Sequence, residues 1–255
     1  VKEMEDFMER LERKYKVQQQ KKDGEKVRQA FGGDTLNTAI YCARLAETLS
    51  LEVDYVTALG RDRFSCKMAA YWEQEGVGSS LVQMVEGQHP GLYYIELDEN
   101  GERIFHYWRS DSAAKSCFDF PGSETVLDKL SNYNAIYISG ISLAILNSSG
   151  RTALISRLQE LFRQGVLIFF DCNYRPNLWD SVEQAVDCYE QLYRISNVVF
   201  LTVEEGDVLL GVTETEAIHG ALHQFGVEES VLKDGSQPCS ISRDGKVVEV
   251  PACRV

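Results

Sequence analysis

"VLIFFDCNYRPNLW", residues 166–179, places five apolar residues in a row ahead of Asp171, Asn173 and Arg175. A short apolar run that stops at polar residues reads as a strand covered on both faces, the kind found in parallel sheets. Helical periodicity flanks it near residues 148–164 and 181–194. Helix, strand and helix in succession require crossover connections, which are right-handed and lay helices on both sides of a sheet.

The same rhythm extends outward in both directions. Strand-like runs occur at "VDYVTALG" (53–60), "AIYISGIS" (135–142), "VVFLTVEE" (198–205) and "SVLKDG" (230–235). Helical patterns lie near 35–49, 64–75, 123–131, 203–210 and 215–225. The expectation is an α/β fold with a doubly wound, mostly parallel sheet flanked by helices. One stretch breaks the alternation: "GLYYIELDENGERIFHYW", 91–108, is two strand patterns around an Asn-Gly pair. That is the signature of a β-hairpin, here a lid or small second sheet over about residues 91–109.

Composition narrows the function classes. A chain of 255 residues holds one large α/β domain or two small ones. Hydrophobic content of 44% beside 25% charged residues is globular. The net charge of −13 argues against nucleic-acid binding, which needs a basic face. No apolar run approaches the roughly 20 residues that span a bilayer, and no secretory pattern opens the chain. Seven cysteines are scattered without a CxxC pair, which suggests reduced thiols in a cytoplasm. Residues 1–30 differ, with nine Lys/Arg against seven Asp/Glu. Met4, Phe7, Met8, Leu11 and Tyr15 recur at helical spacing, so an amphipathic helix is expected over 2–18, followed by a polar linker. A solvated or docked helix and a partner-binding helix both fit that pattern.

Ligands of open α/β sheets bind beyond the carboxyl ends of the strands. Those ends supply Gly140 and Ile141, then Asp171, Asn173 and Arg175, then Thr202, Glu204 and Glu205, and last Lys233 and Gly235. A further candidate opens the first long helix, in "FGGDTLNTAIYCARLAE" (31–47). Glycine lets backbone approach a ligand closely, and the free amides of a helix start can face a bound oxygen. Asp34 or Thr35 serves equally as a plain N-cap. His219 and His223 lie four apart, a zinc-capable spacing, but without a third ligand nearby they read as surface histidines. Cys172 reads as a small buried side chain, Trp72 as core, and His106 as a structural residue facing away from Tyr107.

The run from Phe31, together with "YVTALGRDRFS", the hairpin, "YISGISLAIL", "FDCNYRPNLW" and "FLTVEEGDVLLG" in that order, resembles the PfkB or ribokinase-like carbohydrate kinases. The likeness runs over about residues 28–255 and is strongest to the 2-keto-3-deoxygluconate (KDG) kinase branch. It implies ATP and Mg2+ as cofactors, a small sugar acid as partner, and a homo-oligomer through the lid. Gly33, Asp34 and Asn37 would contact the sugar, Tyr93, Tyr107 and Arg109 would reach down from the lid, and Ile141 would offer a backbone contact. Arg175 would face the sugar acid and the phosphates, which suits a guanidinium fork. Asp171 and Asn173 would organise metal-bound water and phosphate, and Glu205 would help position magnesium indirectly. Lys233 and Gly235 would lie beside the adenine nucleotide.

The implied reaction is in-line transfer of a γ-phosphoryl group to a sugar hydroxyl, which needs positioning and charge neutralisation. No Walker sequence is present. The resemblance implies instead a glycine-rich turn, reading roughly "DTTAAGDSF", beyond Val255, and so assigns the catalytic aspartate to no residue of this chain, with Arg175 in support. The family's first strand is not recognisable, and segment 1–18 stands in its place. The expectations are therefore a KDG kinase, another sugar kinase such as a fructokinase or ribokinase, or a sugar-acid-binding relative without catalysis.

Overall fold

The computed structural model describes residues 30–97 and 103–252. Its central element is a six-stranded sheet in the order β12-β11-β10-β9-β8-β7. Strands β7 (Ala135–Ser139), β8 (Leu167–Asp171), β9 (Val198–Thr202) and β10 (Glu229–Lys233) are parallel. Strands β11 (Cys239–Arg243) and β12 (Lys246–Val250) add an antiparallel margin. The sheet is thus mixed, flanked by helices as expected.

Buried side chains alternate along the central strands. Ile168 and Phe170 of β8 and Val199 and Leu201 of β9 are fully buried. They meet the apolar stripes of α5 (Ser148–Arg163) and α6 (Val182–Tyr193), through Leu158, Leu161, Leu192 and Tyr193. Leu, Phe and Tyr chains of this size contribute about 1.5–3 kcal/mol each on burial, so the sheet centre is the most strongly held part. A second, smaller core joins α1 (Asp34–Leu49) to α2 (Arg63–Gln74) through Leu36, Ile40 and Trp72.

The anticipated helices form with boundaries displaced by a residue or two. Differences arise where the chain turns. "VDYVTALG" is two strands, β1 (Val53–Asp54) paired with β3 (Val77–Gly78), and β2 (Thr57–Gly60) paired with β4 (Val82–Val85). Between them, Tyr55 leaves the strand line, packs edge-on against Trp72 and hydrogen-bonds Thr35. "AIYISGIS" stops being a strand at Ser139, where α4 (Gly140–Ile145) begins. A Cβ on Gly140 would stand 2.0 Å from both the Cys172 carbonyl and the Tyr189 hydroxyl, so only glycine allows the ends of β7 and β8 to lie so close.

The β11–β12 hairpin was not anticipated. Asp244 and Gly245 link its strands with φ of 51° and 71°, the left-handed pair of a tight Asp-Gly turn. The lid hairpin is present as β5 (Leu92–Leu97) and β6 (Arg103–Trp108), with Tyr93 opposite Tyr107. Its Asn-Gly connection and the helix expected over 2–18 lie outside the described residues. Among the described residues no helix is long and apolar enough to cross a membrane.

His219 and His223 correct the sequence reading. His219 is 2% exposed, wedged between helix α8 (Thr215–Gln224) and the sheet, with its ring nitrogens 2.6 Å from Ser230 Oγ and 2.9 Å from Ser240 Oγ. His223 meets the Val227 carbonyl and Ser242 Oγ. Serines facing the helix from β10 and β11 satisfy the His219 ring, which belongs to the interior, while His223 is half-buried. Cys172 and Trp72 are buried as expected, and His106 lies beside Tyr94 and Trp108 with Glu96 3.4 Å away.

Candidate active site

The carboxyl ends of β7, β8, β9 and β10 fall on one edge of the sheet, and the start of α1 comes up against them. Asp34, the first residue of α1, accepts hydrogen bonds on Oδ2 from Ser139 Oγ (2.6 Å) and Asn173 Nδ2 (3.1 Å). A carboxylate at a helix start also gains from the amide dipoles there. Asn173 adopts φ 39°, a left-handed conformation that asparagine tolerates better than most residues. Nothing local in the sequence marks Ser139 as more than a strand-end serine; its Oγ also caps α4 by accepting from the Ile141 amide (3.2 Å). That amide is therefore spent on the cap, and the backbone contact expected of Ile141 does not have it to offer.

Beside this cluster, Lys233 Nζ stands 3.0 Å from Asp171 Oδ1, and the Tyr137 hydroxyl donates to Asp171 Oδ2 at 3.0 Å. Burial, and next the charge of Asp171, push the Tyr137 phenol above its ordinary value. Tyr137 was likewise not singled out from sequence. Gly235 turns the chain after β10 with φ 52° and open space where a Cβ would stand.

Glu205 is 8% exposed. Its Oε1 accepts the Tyr174 amide (2.6 Å) and its Oε2 the Thr202 amide (2.7 Å), while the Thr202 hydroxyl accepts the Glu205 amide in a capping box that opens α7 (Val203–Leu210). Burial raises its carboxyl above the usual range, against the lowering effect of those two amides. With each oxygen already holding an amide, this carboxylate ties the segment after β8 to the end of β9. It thereby sets the backbone that carries Arg175, whose guanidinium donates to the Tyr174 carbonyl (2.8 Å). Both Glu205 oxygens thus hold backbone amides of the segments that follow β8 and end β9. Among the described residues no group of three acidic, histidine or cysteine side chains could hold a metal ion.

The lid reaches the glycine pair. A Cβ on Gly32 would stand 3.1 Å from the Tyr93 hydroxyl and 3.7 Å from Asn37 Oδ1, so hairpin and α1 meet over that glycine. Gly33 has extended backbone, and its added Cβ would meet only Leu36 at 3.8 Å. On the hairpin, Tyr93 and Tyr107 have ring centroids 6.2 Å apart, and the Arg109 guanidinium lies 4.4 Å over the Tyr107 ring.

The pfkB family carbohydrate kinase domain matches residues 4–255. The chain belongs to the PfkB family. Among curated relatives, 2-dehydro-3-deoxygluconokinase of Escherichia coli K12 is 43% identical over 233 residues, covering 91% of this chain and 75% of the relative. The enzyme of that name from Dickeya dadantii is 42% identical over the same shares. In structure the chain resembles the PfkB protein from Polaromonas sp. JS666, with TM-score 0.79, 25% identity and coverage of 91% and 76% of the two chains. The α/β sheet read from the strand rhythm and the ribokinase-like fold implied by the motif resemblance are therefore those of this PfkB chain, and its activity class is that of a carbohydrate kinase.

Proposed function

We propose that this PfkB chain phosphorylates 2-keto-3-deoxygluconate, the compound also called 2-dehydro-3-deoxygluconate, at the expense of ATP. The observation that carries this reading is the meeting of Asp34, the Gly32–Gly33 pair and the lid residue Tyr93 at the sheet's carboxyl edge. Neither the backbone at Gly33 nor any described neighbour requires glycine there, which leaves close approach of a ligand as the reason for the missing side chain. Asp34 and Asn37 accept sugar hydroxyls in this reading, while Tyr93 and Tyr107 cover them. Arg109 and Arg175 supply charge for the sugar's carboxylate and the transferring phosphoryl group. The relatives' names support the sugar acid as substrate.

Lys233, at the tip of β10, faces the nucleotide phosphates, with Gly235 leaving room beside it. Magnesium would be held by those phosphates and water, with Asp171, the carboxylate paired with Lys233, organising that water; bound there it would neutralise developing phosphate charge. Asn37, Arg109 and Arg175 do the positioning, and no described residue is assigned as the base. The six free cysteines among the described residues fit a cytoplasmic location, and half-exposed Ile95 and Ile104 support assembly through the hairpin.

The test is ATP-dependent phosphorylation assayed against KDG, fructose and ribose, with calorimetry alongside. Transfer to KDG in preference to the neutral sugars is expected. Preference for a neutral sugar overturns the substrate, and sugar-acid binding without transfer reassigns the chain as a non-catalytic relative.

A further inference from the structure

We propose that Asn173 and Ser139 are positioning residues for the Asp34 carboxylate, and that Asn173 serves the sugar side of the cleft instead of the phosphate side. The inference rests on the reading of Asp34 as a sugar contact. Asn173 follows β8 by two residues, beside Asp171, yet its amide reaches 3.1 Å to Asp34 Oδ2 and 3.5 Å to Ser139 Oγ. Ser139 Oγ reaches the same Asp34 oxygen at 2.6 Å. Three elements distant in sequence, the start of α1, the end of β7 and the turn after β8, thus converge on one oxygen atom.

Both donors fall on Oδ2, and among the described residues none falls on Oδ1. A carboxylate gripped through one oxygen has its rotamer fixed while the other keeps its lone pairs for a ligand hydroxyl. The left-handed backbone at Asn173 aims the amide there, and such conformations persist where surrounding contacts hold them. Without these donors a sugar would have to order the Asp34 side chain itself, a cost that appears as weaker binding.

Calorimetry with KDG and, separately, with ATP tests the assignment on the whole chain and on Asn173→Gly, Asn173→Asp and Ser139→Ala. Glycine keeps the left-handed backbone and removes only the amide. KDG affinity should fall about tenfold in Asn173→Gly and further in Asn173→Asp, where two carboxylates would face each other, with ATP affinity unchanged. Loss of ATP affinity alone, or equal loss for both ligands, overturns the proposal. A ligand-free thermal cycle on Asn173→Gly and Asp34→Ala gives an independent answer. Non-additive shifts in Tm support the contact and additive shifts overturn it. Should the unaltered chain bind no sugar at all, the functional reading fails, and the thermal cycle still decides whether Asn173 holds Asp34.

Discussion

Lys233 Nζ and Asp171 Oδ1 stand 3.0 Å apart, an ion pair that ties the tip of β10 to the tip of β8 across β9. Its lysine side chain is 45% exposed and its aspartate 17%. An ion pair this open contributes at most about 1 kcal/mol to stability. Lys233→Met should accordingly leave Tm nearly unchanged while weakening ATP binding several-fold. Calorimetry together with thermal unfolding checks both halves, and a large drop in Tm with intact nucleotide binding would contradict the placement.

Gly140 should tolerate no side chain. Gly140→Ala would drive a methyl group into the Cys172 carbonyl and the Tyr189 hydroxyl, separating the ends of β7 and β8. Overpacking of this kind costs about 1–3 kcal/mol, read as a lower urea midpoint. Because Ser139 adjoins this contact, KDG binding should weaken in the same variant.

Glu205→Gln should destabilise the fold by about 2–3 kcal/mol, because one amide of the pair from Tyr174 and Thr202 would face an NH2 group. The native carboxyl also has a pH signature. Burial raises it above its ordinary 4.5, so the folded chain holds this proton more tightly than the unfolded chain. Its contribution to stability therefore declines as pH rises from 4.5 through the raised value and is level beyond it. Urea midpoints across that window should lose this declining component in Glu205→Gln.

His219 acts in the opposite sense. Burial, followed by the neighbouring His223, lowers its imidazole from 6.5 to about 4. The unfolded chain takes up the proton first, so stability is complete above 6.5 and drains away as pH falls towards 4. Denaturation measured at pH 7, 5.5 and 4.5 should show this loss, and His219→Gln should flatten it. An unchanged acid slope in that variant would place the titration elsewhere.

Arg109 tests the choice of an acidic sugar. Its guanidinium is held over Tyr107 on the lid. A charge-assisted hydrogen bond contributes about 1.5–3 kcal/mol, so Arg109→Gln should lower KDG affinity roughly ten- to a hundredfold and alter fructose binding little. An equal loss for both sugars would show that the lid arginine does not read the carboxylate.

The fold was legible because its signals are local. Apolar runs such as 166–170 and helical stripes such as that of 181–194 repeat within a few residues, and each specifies its own element. The hairpin over 91–108 was readable for the same reason. The β11–β12 hairpin carries an equally local signal, Asp244-Gly245 between two β-rich runs. The buried position of His219 was not legible, because its ring is satisfied by serines 11 and 21 residues away.

The sequence by itself determined the helices and the four parallel strands of the main sheet, that Asp34, Asp171, Asn173, Arg175, Glu205 and Lys233 stand at or just beyond element ends, and which family the motifs resemble. Tertiary structure alone decided what each of those groups holds: Asn173 turned to Asp34, Glu205 closed on two amides, Lys233 paired with Asp171. Periodicity records how a residue relates to its near neighbours along the chain. A side chain's partner depends on strand order and register, which bring together residues as many as 139 apart.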